Sequence, residues 1–451
     1  MTGLPTPRRY WAVLALCLGT SLGVLDGYIV GVALPTMAAS LAVRPSEAVL
    51  VVTIYQLVLV MTILPFSALG ERIGLRRLYQ YGQWLFLVAS VLCVFAQELS
   101  FLLVTRALQA LGAAAVLSMA TALIRETYPS RQLGRGLAVN NVVVSTSTAI
   151  APVVGGVILH YFSWRYIFTL TPPLAFLSIV LGRRNLPDPI FRPKPYDVAA
   201  AALCAATLGF TVTGIEAAVH GGHWGWSLPL VAAGLLLGIT FVRRELKSDA
   251  PILPVDLLAR PVIGLAVLAA QLTFIGSSAL MLSLPFRLQT DYGFTPAQVA
   301  AALLPWPLTM IVVAPLSAEL SDRYRAPLLG SIGMVIAALG VASLALLPAT
   351  LDHWQLIWRT MLVGTGFGMF FSPNARSIVQ ATPAHRVAAA GGLISTNRLL
   401  GQTLGATLLA ILLALGVGTS STTAWVIVGL TLLSLSCNLF RLRITPPAPT
   451  P

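Results

Sequence analysis

Long apolar stretches, separated by short polar connections, occupy nearly the whole chain. A helix needs about 20 mostly apolar residues to cross the hydrocarbon core of a bilayer. The pattern therefore predicts an all-α membrane protein with fourteen transmembrane helices, two of them short (165–182 and 227–242). The predicted helices lie at approximately 11–34, 48–69, 79–97, 100–124, 137–159, 165–182, 197–217, 227–242, 261–285, 296–318, 328–348, 354–374, 387–414 and 421–440.

The basic residues indicate how these helices are oriented. If the N-terminus is cytoplasmic, 22 of the 28 lysines and arginines fall on the inner side, three fall outside and three lie within helices. Cytoplasmic loops of membrane proteins carry such an excess of positive charge. We therefore expect a multi-pass protein of the cell (inner) membrane with both termini in the cytoplasm.

Composition argues against other classes of protein. Hydrophobic residues make up 57% of the 451 residues and charged residues 10%, whereas soluble domains have about 25% charged residues. The net charge of +13 comes from basic clusters between apolar stretches, which indicates loops and not nucleic-acid binding. The four cysteines are scattered through apolar stretches without metal-ligand spacing. We expect no metal site and no bound nucleic acid.

The two halves of the chain resemble each other. Parallel repeats are found in transporters, in which one half rocks against the other to alternate access. We therefore predict a six-helix bundle at 1–182, an inserted helix pair with its loops at 183–260, and a second six-helix bundle at 261–451. The matches, at offsets of 251 to 254, are LGER at 69–72 with LSDR at 320–323, Arg106 with Arg359, and Tyr128-Pro129 with Thr382-Pro383.

Asp26 is a carboxylate inside an otherwise apolar stretch, SLGVLDGYIVGVALP at 21–35. An ionisable group at this depth is costly and usually faces a cavity or a partner. With a rise of about 1.5 Å per residue, Asp26 and Arg106 lie at similar depths from the outer ends of the first and fourth helices, so they are candidates for a pair. Burial disfavours a charged carboxylate and a nearby cation favours it, so movement of Arg106 would switch the proton affinity of Asp26. The alternative is a static ion pair that fixes two helices.

Several motifs together resemble those of one family. They are LDGYIVGVALP at 25–35, SALGERIGLRR at 67–77, APVVGG at 151–156, WRYIF at 164–168 and GW at 225–226. They are similar to motifs of the fourteen-helix drug–proton antiporter branch of the major facilitator superfamily, and the resemblance extends over essentially the full chain. Ser67 and Glu71 depart from the glycine and aspartate of the family pattern. The resemblance implies the major facilitator fold.

The resemblance also implies residue roles around a central cavity lined by the first and fourth helices. Asp26 and Arg106 become the candidate proton-coupling pair. The candidate cavity residues are Asp26, Tyr28, Arg106, Asn397 and Arg398. For Arg398, hydrogen bonding to backbone carbonyls is an equal alternative.

Two motifs have a mechanical interpretation. The connection after the second helix is a candidate cytoplasmic gate, with glycine permitting a tight turn; the alternative is a basic loop that only orients the chain. In the fifth helix, proline and glycine favour a kink and close helix contact, with ordinary packing as the alternative. The gate residues are Ser67, Glu71, Arg72, Gly74, Arg76 and Arg77, and the antiporter-motif residues are Pro152, Gly155 and Gly156.

The energy source is predicted by elimination. The sequence contains no phosphate-binding loop and no hydrolase motif, and Gly364–Gly368 lies in an apolar stretch, where we expect a packing role. One charge moved across 100 mV is worth about 2.3 kcal/mol, so a proton gradient is sufficient. We therefore expect no enzyme activity and no cofactor.

The resulting hypothesis is a proton-coupled antiporter that exports small amphipathic compounds, such as drugs, antibiotics or toxic metabolites, by alternating access. The expected partners are a small-molecule substrate and the lipid bilayer, and the expected oligomeric state is a monomer. The alternatives are an importer or metabolite facilitator of the same fold and a non-transporting membrane sensor.

Overall fold

The computed structural model describes residues 4–129, 133–188, 197–221, 224–247, 255–348, 351–383 and 387–444. These parts of the chain are almost entirely helical, and a 3₁₀ helix (Trp164–Thr169) precedes α6. The helices are α1 Thr6–Leu41, α2 Pro45–Ile73, α3 Leu75–Val94, α4 Leu99–Thr127, α5 Leu133–Tyr161, α6 Thr171–Asn185, α7 Val198–Gly221, α8 Trp224–Glu245, α9 Val255–Leu258, α10 Pro261–Thr290, α11 Pro296–Leu303, α12 Pro305–Arg323, α13 Ala326–Ala345, α14 His353–Ala381, α15 Val387–Ala414 and α16 Ser421–Ile444.

Eleven segments in the described parts of the chain are long and apolar enough to cross a membrane. Each of the fourteen predicted stretches coincides with a helix or with two consecutive helices. However, α3, α5 and α14 are not among the eleven. The prediction of an all-α membrane protein is confirmed, while the count of fourteen spans stays a prediction.

Prolines interrupt two of the predicted spans. The stretch at 296–318 is divided between α11, which ends at Leu303, and α12, which begins at Pro305. The stretch at 165–182 begins as the 3₁₀ helix and continues as α6, which carries proline in its first turn. Proline has no N–H to donate to the preceding turn, but it fits at the start of a helix.

The chain divides into two compact units, Met1–Phe241 and Val242–Pro451. In the first unit α1 packs on α4, α5 and α6, while α3 packs on α4 and α6, and α2 on α4. In the second unit α10 packs on α14, α15 and α16, while α13 packs on α14 and α16, and α12 on α14. The same six pairings recur in the same order, so the predicted repeat is confirmed. Helix α7 packs on α2 of the first unit, and the three-part domain division stays a prediction.

Glycine pairs make one of these pairings possible in each unit. A Cβ atom at Gly82 would lie 2.9 Å from the carbonyl oxygen of Gly112, and one at Gly333 would lie 2.7 Å from that of Gly366. Only glycine allows backbones to approach so closely. The packing role expected for Gly364–Gly368 is therefore confirmed at Gly366.

A serine hydroxyl makes a second contact that both units share. Ser178 on α6 donates to the Ala15 carbonyl of α1 at 2.7 Å, and Ser434 on α16 donates to the Ala269 carbonyl of α10 at 2.9 Å. These pairs have nearly the same offset as the sequence repeat. They show which positions of the two units correspond.

Candidate functional site

Asp26 and Arg106 form an ion pair inside the first unit. Nη1 of Arg106 donates to Oδ2 of Asp26, and both side chains are 0% exposed. The pairing inferred from their similar depth is confirmed, because α1 and α4 pack against each other. The role of the pair in proton coupling stays a prediction.

Gln109 completes a cycle of hydrogen bonds with this pair. Its Oε1 accepts from Arg106 Nη1 at 2.6 Å, and its Nε2 donates to Asp26 Oδ1 at 2.9 Å and to Ser90 Oγ at 2.8 Å. Gln109 is fully buried. Gln109 was not among the predicted site residues, although residues three apart share a helix face and a glutamine three residues after Arg106 was the available signal.

The aromatic ring of Tyr55 covers the guanidinium group. Arg106 Cζ lies 4.2 Å from the centroid of the Tyr55 ring on α2, an arrangement that favours a cation. Arg106 Nε donates to the Val51 carbonyl at 3.2 Å, whereas its buried Nη2 has no hydrogen-bond partner among the described residues. A second titratable group near the pair, besides Tyr55, is Cys93 on α3, whose thiol lies 3.8 Å from Gln109 Oε1. Arg106 therefore contacts α1, α2 and its own helix, while one of its donors, Nη2, lacks an acceptor among the described residues.

The stability of the Asp26–Arg106 pair depends on the charges of both partners. Removing one partner of a buried ion pair typically costs about 3–5 kcal/mol, because the remaining charge is left uncompensated. Protonation of Asp26 has the same effect on Arg106 as removal of a partner. The ionised carboxylate therefore stabilises the buried arginine in its observed position.

The residues expected to line a cavity lie in different surroundings. Asp26 and Arg106 are enclosed by side chains and do not border open space in this structure, whereas Tyr28 is half-buried. In the second unit Asn397 is 7% exposed and donates to the Val267 carbonyl at 3.1 Å. Arg398 is half-buried, and it forms no hydrogen bond with a backbone carbonyl of the described residues. A cavity role for these residues stays a prediction.

The candidate gate forms a bend with contacts inside the first unit. Gly74 ends α2 with φ of +104°, a conformation that glycine adopts without strain, so the expected turn is confirmed. Arg76 donates to the Arg183 carbonyl at the end of α6 and lies 3.8 Å from Asp188. The other described gate side chains, those of Ser67, Arg72 and Arg77, are exposed, and the side chain of Glu71 lies outside the described part. A gating role for this connection stays a prediction.

The antiporter motif lies in α5 against α1. Pro152, Gly155 and Gly156 are buried. A Cβ atom at Gly155 would lie 3.2 Å from the Ile29 carbonyl oxygen, one turn beyond Asp26. The close helix contact expected at this motif is therefore observed at Gly155.

Arg441 is a buried cation of the second unit, one residue beyond the predicted end of the last helix. It is 1% exposed and donates to Asn374 Oδ1 at 2.6 Å, Asn438 Oδ1 at 3.0 Å and Ser377 Oγ at 2.5 Å. It is buried because α16 continues to Ile444, beyond the predicted end at 440. Asn374 and Asn438 within apolar stretches were the available signal.

The sequence model of the Major Facilitator Superfamily matches residues 16–406 of the chain. The chain belongs to the major facilitator superfamily. This assignment agrees with the two six-helix arrangements described above and with the resemblance inferred from the motifs. Members of this superfamily are membrane transporters.

Three relatives of this chain have names that describe different transport proteins. The "Uncharacterized transporter YebQ" of Escherichia coli is 40% identical over 99% of this chain and 98% of its own length. The "Riboflavin transporter RibZ" of Clostridioides difficile is 28% identical over 88% of this chain and 87% of its own. The "Multidrug efflux pump LfrA" of Mycolicibacterium smegmatis is 28% identical over 89% of this chain and 80% of its own.

Proposed function

We propose that this protein is a proton-coupled antiporter that exports small amphipathic compounds by alternating access across the cell (inner) membrane. The observation that carries the proposal is the sealed cycle of Asp26, Arg106 and Gln109 in the first unit. A buried ionisable pair in a membrane transporter is by default a candidate for coupling. The similarity to a multidrug efflux pump supports export.

In the proposed cycle, ionised Asp26 holds Arg106, as in this structure. When a proton binds to Asp26, the carboxylate loses its charge and Arg106 loses its counter-ion. Because an uncompensated buried charge is costly, Arg106 shifts toward other acceptors, and α4 shifts relative to α1. Release of the proton on the inner side restores the pair, and the returning helices carry substrate outward.

Accumulation of fluorescent dyes and drugs in efflux-deficient bacteria tests this proposal. We expect the wild type to lower accumulation, an uncoupler to abolish the difference, and Asp26→Asn to behave like the empty host. Asp291→Asn is the matched control, because it makes the same substitution at an exposed residue. Full activity of Asp26→Asn at wild-type protein levels would overturn the proposed coupling role.

A second candidate function is import or facilitated passage of a metabolite, which the similarity to a riboflavin transporter favours. The same assay separates the two candidates, because an importer raises accumulation of its substrate. Riboflavin fluorescence provides one direct probe. A panel of dyes, drugs and riboflavin without any change in accumulation would instead favour a non-transporting sensor.

The proposal also covers the oligomeric state, the orientation in the membrane and the energy source. We propose a monomer with both termini in the cytoplasm and no cofactor, with the proton gradient as the energy source. The excess of arginine in the inner connections supports this orientation. Labelling of single cysteines placed in the terminal segments, with membrane-impermeant reagents, tests it.

A further inference from the structure

A small cavity lies between α1, α3 and α4 of the first unit. Its volume of about 10 Å³ approaches the space that one water-sized sphere needs. Gly19 and Gly23 line it on α1, Gln83 and Phe86 on α3, and Ala113 on α4. All five residues are buried.

Gln83 contributes a polar atom that the protein itself does not satisfy. The side chain is 1% exposed, and its Nε2 donates to Ser178 Oγ. Its Oε1 is buried without a hydrogen-bond partner among the described residues. Buried polar atoms are normally paired with protein or with ordered water, so an unpartnered amide oxygen on a residue that lines a cavity of this size indicates a water site.

The second unit indicates that the scaffold does not need a glutamine here. Gln83 follows Gly82, and the corresponding position after Gly333 is Met334, which is also fully buried. Met334 Sδ lies 3.6 Å from Thr273 Oγ1, on the helix that corresponds to α1. The same helix arrangement is therefore filled by an apolar side chain in one unit and by an amide beside a cavity in the other.

The cavity lies one helical turn inward of the buried carboxylate. Gly23 precedes Asp26 by three residues on α1, and Ala113 follows Gln109 by four on α4, so each lies on the same helix face as its partner. On α3, Phe86 lies one turn inward of Ser90, and its carbonyl accepts from Ser90 Oγ at 2.7 Å. The cavity therefore lies one turn from the hydrogen-bonded cluster along these three helices, on the side that faces the cytoplasm in the proposed orientation.

We propose that this cavity binds one water molecule, which donates to Gln83 Oε1 and serves as the inner-side proton acceptor for Asp26. The inference rests on the proposed proton coupling. In the step, the carboxyl O–H bond of Asp26 breaks and a lone pair of water forms the new O–H bond. The resulting hydronium passes one proton to further water on the inner side. The charged and titratable groups around Asp26 are Arg106 on α4, Tyr55 on α2 and Cys93 on α3.

Time-resolved infrared spectroscopy after a pH jump tests the proposal on the purified full-length protein. The C=O stretch of protonated Asp26 is identified by its loss in Asp26→Asn. We expect Gln83→Met to slow proton release about tenfold, the effect of losing one hydrogen bond in the transition state. Gln80→Met is the matched control, because Gln80 lies one turn away on α3 and does not line the cavity; its rate stays at the wild-type value.

Two further measurements distinguish failure of the proposed water site from failure of the proposed function. In H₂¹⁸O, X-ray radiolysis labels side chains beside bound water, so we expect ¹⁸O on Phe86 in the wild type, although this residue is 2% exposed, and loss of that label in Gln83→Met. Gly23→Ala narrows the cavity with a Cβ atom at ordinary contact distance, 3.5 Å from Ala113 Cβ, and we expect the same two effects. An unlabelled Phe86 in the wild type, or equal release rates in Gln83→Met and Gln80→Met, overturns the water site alone. Absence of any Asp26 signal overturns the proposed function.

Discussion

The two units of this transporter share their packing and differ in their charges. Gly82 and Gly112 have their counterparts in Gly333 and Gly366, at equally close approach. The counterpart of buried Arg106, however, is the half-buried Arg359, which donates to the carbonyls of Ser343 and Gln355 and lies against the ring of Trp358. Packing contacts recur because both units need the same helix crossings. Among the described residues the ion pair does not recur in the second unit, which is why the proposed coupling is placed in the first.

The largest expected effect comes from removing the arginine of the pair. Arg106→Met leaves Asp26 buried without its counter-ion, so we expect a loss of about 3–5 kcal/mol in stability. Thermal unfolding in detergent measures this loss. Asp26→Asn combined with Arg106→Met recovers most of it, because no buried charge remains. A double variant as unstable as Arg106→Met would show that the two side chains do not depend on each other.

Substitution of the packing glycines tests whether the two units are equivalent. A Cβ atom at Gly112 or at Gly366 meets backbone atoms of the neighbouring helix, and overpacking of this kind costs about 1–3 kcal/mol. We expect Gly112→Ala and Gly366→Ala to lower the unfolding temperature by similar amounts. Gly429→Ala is the control, because no atom lies within 4 Å of its added Cβ. Strongly unequal effects would contradict equivalent packing.

Substitution of Gln109 distinguishes an effect on stability from an effect on export. Gln109→Leu leaves a carboxylate oxygen and Ser90 without this partner, which costs about 1–2 kcal/mol. We expect dye export to fall further than stability and protein level alone explain, because the amide orients Asp26. Gln109→Glu tests the same position with a second charge, and unchanged export in both variants would exclude an orienting role.

The smallest effect is expected at the repeat counterpart of Arg106. Arg359 is half-buried and bonds only backbone carbonyls in the described part of the chain, so Arg359→Met costs about 1 kcal/mol or less. Thermal unfolding and dye export of this variant are compared with those of Arg106→Met. Equal losses in the two variants would break the contrast between the units.

The sequence by itself determined the helices, the repeat and the ion pair. Apolar length is a local property, so hydropathy located the long helices, although it missed the four-residue α9 and the break at Pro305. Motif spacing revealed the repeat, and a charge in an apolar stretch is conspicuous because it is costly there. Asp26 and Arg106 were recognised for that reason.

Only the tertiary structure decided which neutral groups meet these charges. Gln109, Ser90 and Tyr55 join the pair because of how α4, α3 and α2 are rotated about their axes, and hydropathy averages over that rotation. In the same way Arg441, which resembles a loop residue in the sequence, is buried by the last turn of α16. Polar side chains in a membrane bundle obtain their partners from helix packing, because each residue faces only one side of its helix.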